Sequence, residues 1–186
     1  VIKINDGKSY GYNSDYYGFI KLLERGEIDI KNKKCVVLGT GGAAKSVIVA
    51  LHNLGAESIT VVSRTLSSKL TNLLGKFPYI NIAIYENFLE GDILINTTPV
   101  GMYPKIGASP VTEEVIKRFK GAVDIVYNPL KTEFLKLAEK NGLQCADGLY
   151  MLVEQAVKAQ EIWQEREFDD SLGEELYNYL ADNFIG

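Results

Sequence analysis

Six residues restrict the folds open to this chain more than any others: Gly39-Thr40-Gly41-Gly42-Ala43-Ala44. They stand between an apolar run, Lys34 to Leu38, and a stretch in which Ala44, Val47, Ile48 and Leu51 recur at helical spacing. In a G-x-G-x-x-A turn between strand and helix, the first glycine makes the tight bend and the second lets backbone approach a bound group. The small sixth residue lets the helix lie close on the strand. Amides at such a helix start, aided by the helix dipole, suit a pyrophosphate. The same residues would serve as a plain glycine turn if the flanking elements were absent.

The flanking elements are predicted. Strands are expected at 34–38, 58–62, 80–85, 92–96, 122–126 and 143–146. Helices are expected over 15–24, started by Asn13 or Ser14, and after the glycine turn with Gly55 as its stop. Leu66, Leu70, Leu73, Leu74 and Phe77 mark another. Further helices are expected over 112–119, 132–140 (stopped by Gly142), 150–164 and from Ser171, where Glu174 three residues on suggests a capping box, through a stripe ending at Phe184. Strands alternating with helices imply right-handed crossovers. The fold class is therefore α/β, a Rossmann-type doubly wound parallel sheet with helices on both faces. Its expected parts are a connection and linking helix over 1–30, a cofactor-binding core over 31–148, and C-terminal helices over 149–186. The chain opens on Val1 and a short extended stretch, 1–4, that runs into a turn, so it is expected to be a piece of something longer.

In such sheets ligands bind beyond the carboxyl ends of the strands. The end of the second core strand is expected to choose the cofactor. An acidic residue there would bind a ribose 2′-hydroxyl; this chain has Ser63-Arg64-Thr65, followed by Ser67, Ser68 and Lys69. A guanidinium attracts a 2′-phosphate and stacks on adenine, so NADP(H) is expected rather than NAD(H). The plainer alternative for Arg64 is a solvated strand-end charge. Asp15 lies in a predicted first helical turn, where the dipole keeps a carboxylate ionised, and that alone would explain it.

Composition removes other classes. The net charge is −4 over 186 residues, without the basic surface that nucleic acid requires. No apolar run approaches the roughly 20 residues that span a bilayer, so no membrane partner is expected. Cys35 and Cys145 read as buried strand thiols, no metal site is expected, and the single His52 has no evident partner. No signal peptide is visible, and the expected compartment is the cytoplasm. Any self-association is expected to give a homodimer.

Taken together, six segments resemble the motifs of shikimate dehydrogenases, in the family's order. They are Gly11-Tyr12-Asn13-Ser14-Asp15-Tyr16-Tyr17-Gly18-Phe19, the glycine turn, Ser63-Arg64-Thr65 and Asn96-Thr97-Thr98-Pro99-Val100-Gly101-Met102. The last two are Asp124 to Pro129 with Thr132, and Gly148 to Ala156. The resemblance implies reversible reduction of 3-dehydroshikimate to shikimate with NADPH, in aromatic amino-acid biosynthesis. It also implies roles by position. Asp15 would be the carboxylate of a Lys–Asp catalytic pair and would bind a substrate hydroxyl. Tyr127 and Gln155 would contact substrate, although either would otherwise read as a packed strand-end ring and a polar helix residue. Gly39, Thr40, Gly41, Gly42, Ala43, Ser63, Arg64, Thr65, Ser68 and Lys69 would line the cofactor, with Thr97 in a loop over it. Ile125, Gly148 and Met151 would border the nicotinamide.

The chain departs from the pattern in five places, two of them small: Ser63 stands for the usual asparagine before Arg64, and Thr98-Pro99 is a local variant of its loop. The segment that carries the family's amino-terminal domain and catalytic lysine has no match here, so these residues alone are expected not to turn over substrate. Ser14 stands where the family usually has threonine. A basic residue often follows the arginine motif; here that place is Ser68, with Lys69 next. The rival expectations are an NAD-accepting quinate/shikimate dehydrogenase and a non-catalytic NADP-binding module.

Overall fold

The computed structural model describes residues 1–65, 68–87 and 89–183, excepting the side chain of Lys69. Leu66, Ser67 and Phe184, assigned above to helices or to the cofactor loop, lie outside the described residues, as does the Lys69 side chain. The chain begins with β1 (Ile2–Asn5) and β2 (Lys8–Gly11), an antiparallel hairpin. Next come α1 (Ser14–Arg25), β3 (Lys34–Leu38), α2 (Gly42–Asn53), β4 (Ser58–Ser63), α3 (Ser68–Lys76), β5 (Asn81–Ile84) and β6 (Ile93–Asn96). Then follow α4 (Glu113–Ile116), β7 (Gly121–Asp124), α5 (Glu133–Lys140), β8 (Gln144–Ala146), α6 (Gly148–Gln164) and α7 (Ser171–Asn183).

Six strands form one parallel sheet in the order β5-β4-β3-β6-β7-β8. Alternate residues of each central strand feed opposite cores. Val37, Val61, Ile95 and Val123 pack with α1, α2, α3, α6 and α7. Val36, Leu38, Val62, Leu94 and Ala122 pack with α4 and α5. This is the expected doubly wound α/β architecture. Strand order reverses between β3 and β6, so the loops after them diverge and open a crevice at the carboxyl edge.

The structure departs from expectation where local pattern met a tertiary demand. The opening stretch is a hairpin closed by Asp6 (φ 49°) and Gly7 (φ 72°), a primed two-residue turn. Helix α4 spans only 113–116; it ends in short i→i−3 bonds from Arg118 to Val115 and from Phe119 to Ile116. The turn brings Gly121 into register with Ile93. The capping box at Ser171 does not form. Glu174 pairs with Arg25 at 2.9 Å, the Ser171 amide donates to Asp169, and its hydroxyl donates to Glu175. His52 does have a partner: its ring stacks on Tyr79, centroids 3.8 Å apart. Cys35 is buried but Cys145 only half-buried, and burial pushes their thiols up to about 12 and about 11. Both are free. Among the described residues no helix is long and apolar enough to cross a membrane.

Candidate active site

The strand tips that carry the predicted cofactor residues are neighbours. Leu38 pairs with Val62 on one side and with Asn96 on the other. Gly39 then donates its amide to Val62, and Thr97 donates its amide to Leu38, each at 2.9 Å. Gly39 has φ 108°, and a Cβ there would lie 2.8 Å from the Thr97 hydroxyl oxygen, so both backbone and space require glycine. Thr97 fastens this junction by donating its hydroxyl to the Leu38 carbonyl at 2.7 Å.

Gly41 and Gly42 have the opposite surroundings. A Cβ on either would meet no atom within 4 Å. Gly41 caps α2 without a side-chain hydrogen bond, which leaves the first amides of the helix for something else. The turn borders a concavity of about 470 Å³ lined by Thr40, Gly41, Gly42, Lys45, Asn72, Leu73 and Lys76. Ala43 is half-buried and Ala44 fully buried, which seats the helix on the sheet. Lys45 and Lys76 were not singled out from sequence. They enter no ion pair among the described residues. Lys45 could have been found as a cation one turn inside the glycine helix; Lys76 has no comparable signal.

Arg64 follows the tip of β4 and is exposed, as are Thr65 and Ser68; Ser63 is half-buried. No ion pair holds Arg64 among the described residues. Its charge does reach Tyr85, where burial raises the phenol pKa and the guanidinium pulls it down.

A second concavity, of about 260 Å³, is lined by Asp15, Ile125, Tyr127, Gly148, Met151, Leu152 and Gln155. The predicted carboxylate, substrate and nicotinamide residues meet here although they come from α1, the loop after β7 and α6. Leu152 completes the wall and was assigned no role from sequence. Close packing makes the meeting possible. A Cβ at Gly148 would overlap the Ile125 carbonyl, and one at Gly18 would lie 2.6 Å from the Met151 carbonyl oxygen. Helix α1 therefore crosses α6 in backbone contact. Asp15 and Gln155 are half-buried, Met151 is buried, and Tyr127 is exposed on the rim. The Gln155 amide donates to the Leu152 carbonyl at 3.0 Å and accepts from the Ser14 hydroxyl at 3.4 Å. Asp147 caps α6 through the Leu149 amide at 3.1 Å, and Tyr177 donates to its other oxygen at 2.9 Å.

Asp124 anchors a buried polar network at the ends of β6 and β7. Asp124 accepts from the Asn96 amide at 2.9 Å, the Val126 backbone at 3.0 Å and the Thr132 hydroxyl at 2.7 Å. Asn96 accepts from the Thr98 hydroxyl at 2.7 Å. Asn96, Asp124 and Thr132 are fully buried. Burial pushes the Asp124 carboxyl up to about 6, while its three donors pull the other way. The network ties together the tips of β6 and β7, from which Thr97 and Ile125 depart. Its sequence signal is polar residues ending two central apolar strands.

No family model matches the chain. It is 50% identical over 187 residues to the shikimate dehydrogenase (NADP(+)) of Clostridium perfringens, covering 99% of this chain and 68% of that protein. Among solved structures, a chorismate mutase/shikimate 5-dehydrogenase fusion protein from Clostridium acetobutylicum superposes with a TM-score of 0.91 at 40% identity, over 100% of this chain and 67% of that one. Shikimate 5-dehydrogenase from Thermus thermophilus, in complex with NADP(H) and shikimate, gives a TM-score of 0.83 at 34% identity, over 96% of this chain and 66% of that one.

Proposed function

Because this chain belongs to the shikimate dehydrogenase family, we propose that its two concavities form one hydride-transfer site, one for NADP(H) and one for shikimate. The chain is the cofactor-binding part of an NADP-dependent oxidoreductase that interconverts 3-dehydroshikimate and shikimate. One juxtaposition carries the reading: the open glycine turn and exposed Arg64 share a sheet edge with the cavity that holds Asp15, Tyr127 and Gln155.

The residues present suit the dinucleotide. The Gly41-Gly42 turn offers unfilled space and uncapped amides for its pyrophosphate, supported by Thr40 and Ala43. Arg64, with Ser63, Thr65, Ser68 and Lys69, takes the 2′-phosphate, since a guanidinium forks onto phosphate oxygens. Thr97, Ile125, Gly148 and Met151 shape the nicotinamide side. When bound, the dinucleotide supplies the hydride. Tyr127 and Gln155 hold the substrate so that its ketone carbon meets the donor in line, and the rate gain comes from that positioning. Asp15 binds a substrate hydroxyl and orients the ammonium of its catalytic partner, which gives a proton to the oxygen as the carbonyl becomes an alcohol.

The test is parallel titration of the chain with NADPH and NADH, followed by nicotinamide fluorescence. NADPH is expected to bind at least tenfold tighter, because a charge-assisted hydrogen bond is worth about 1.5–3 kcal/mol. Equal affinities would overturn the cofactor half of the reading.

A further inference from the structure

The first turn of α1 sends four successive residues in different directions. Asn13 caps the helix by accepting from the Tyr16 amide at 3.2 Å, and its side-chain amide donates to the Ser46 hydroxyl of α2 at 3.0 Å. Ser14 donates to Gln155 on α6. Asp15 lines the substrate-side cavity. Tyr16 accepts at its hydroxyl from Asn53 of α2 at 3.1 Å. Ser46 is 5% exposed and is the fifth residue of α2, one turn beyond Gly42. Its hydroxyl has no other hydrogen-bonding partner among the described residues than Asn13.

We propose that Asn13 and Ser46 form a positioning pair, which fixes the Asp15 carboxylate relative to the helix that holds the cofactor. The inference rests on the reading of Asp15 given above. Helix α2 is anchored at its start by whatever occupies the glycine turn, and α1 is pressed against α6 at Gly18. Two polar links join those bodies beside Asp15, Tyr16–Asn53 and Asn13–Ser46, and the Asn13–Ser46 bond is the one made at the helix cap and one turn beyond the glycine turn. A shift of an ångström at that carboxylate would degrade alignment for hydride transfer without altering any group that touches the cofactor.

The test is a double-mutant cycle on shikimate oxidation in the turnover-competent enzyme that carries this chain. Ser46→Ala removes the hydroxyl at a helical position where alanine is favourable. Asn13→Ser keeps a capping oxygen but is too short to reach α2. Each variant is expected to lower kcat about fivefold, about 1 kcal/mol at about 1.36 kcal/mol per decade. KM for NADP+ is expected to stay within about twofold, since the groups touching the cofactor are unchanged. The double variant is expected to lose no more than either single one, because both remove the same bond. Losses that multiply to about 25-fold would show two independent effects and overturn the proposal. So would a lower melting temperature with kcat unchanged per NADPH-binding site. Asp15→Asn separates the two readings. If that variant turns over normally, the role of Asp15 fails; if it is slow while Ser46→Ala and Asn13→Ser keep the parental rate, the positioning pair alone fails.

Discussion

A methyl group added at Gly41 or Gly42 would meet nothing within 4 Å, whereas one added at Gly148 would overlap the Ile125 carbonyl. Gly42 begins α2 and Gly148 begins α6, each beside one of the two concavities, and the contrast extends to their neighbours. On the glycine-turn side, amides are uncapped and Lys45, Arg64 and Lys76 enter no ion pair among the described residues. On the α1–α6 side, Asn13, Ser14, Asp147, Gln155 and Tyr177 are all hydrogen-bonded, and the nearby Asp124 accepts from three donors. Unsatisfied groups and uncancelled charge can be tolerated where water reaches them and an anionic ligand replaces it. Groups that must present a reacting geometry have to be held before the ligand arrives. On the proposed reading, one side would bind by what it leaves open, the other by what it has already closed.

That contrast can be broken in graded steps. The largest effect is expected from Asp15→Asn on the closed side: kcat in the turnover-competent enzyme falls about a thousandfold, in the range of lost proton-transfer assistance. Steady-state kinetics with unchanged kcat would return Asp15 to a capping role. Next is a matched pair of glycine substitutions. Gly148→Ala should cost about 3 kcal/mol of unfolding free energy through backbone overlap. Gly42→Ala, with open space around it, should leave stability within about 0.5 kcal/mol and weaken only dinucleotide binding. Denaturant melts showing equal costs would erase the distinction between the two sides. Third, Arg64→Ala should weaken NADPH by about 2 kcal/mol, about thirtyfold, and leave NADH unchanged. A common loss for both cofactors by calorimetry would remove Arg64 from the 2′-phosphate.

The smallest effect concerns pH. The Asp124 carboxyl is held near 6 when folded and returns to about 3.8 on unfolding. The folded state thus keeps its proton longer, and this group's contribution to stability falls as pH rises from about 4 to about 6. Asp92, Glu161 and Glu174 are shifted downward by their partners and contribute the opposite slope, so the parent-minus-variant difference is the quantity to read. In denaturant midpoints at pH 4.5 and 7, Asp124→Asn should remove the falling component. A difference independent of pH would contradict the assigned ionisation.

Much of the frame was legible because each element carries a local period. Val36 and Val37 point to opposite cores as alternation requires, and Gly55 and Gly142, both at positive φ, stop their helices as expected. The hairpin at residues 2–11 goes beyond the extended stretch over 1–4 and following turn expected from sequence, because its strands are only four residues long, mostly exposed, and carry no buried face to set a period. The Ser171 capping box was the reverse case, a correct local pattern overruled when Arg25 offered Glu174 a charged partner across the fold.

The sequence by itself determined the alternation of strands and helices, the glycine turn and the choice of arginine over an acid at the neighbouring tip, since each is set by backbone conformation or charge within a few residues. Only the tertiary structure decided that Asp15, Tyr127, Met151 and Gln155 share one cavity, that Ser46 reaches Asn13, and that Lys45 and Lys76 enter no ion pair among the described residues. Those outcomes depend on how closely α1, α2 and α6 approach one another. That approach is governed by contacts between residues up to about 140 positions apart and leaves no periodic trace along the chain.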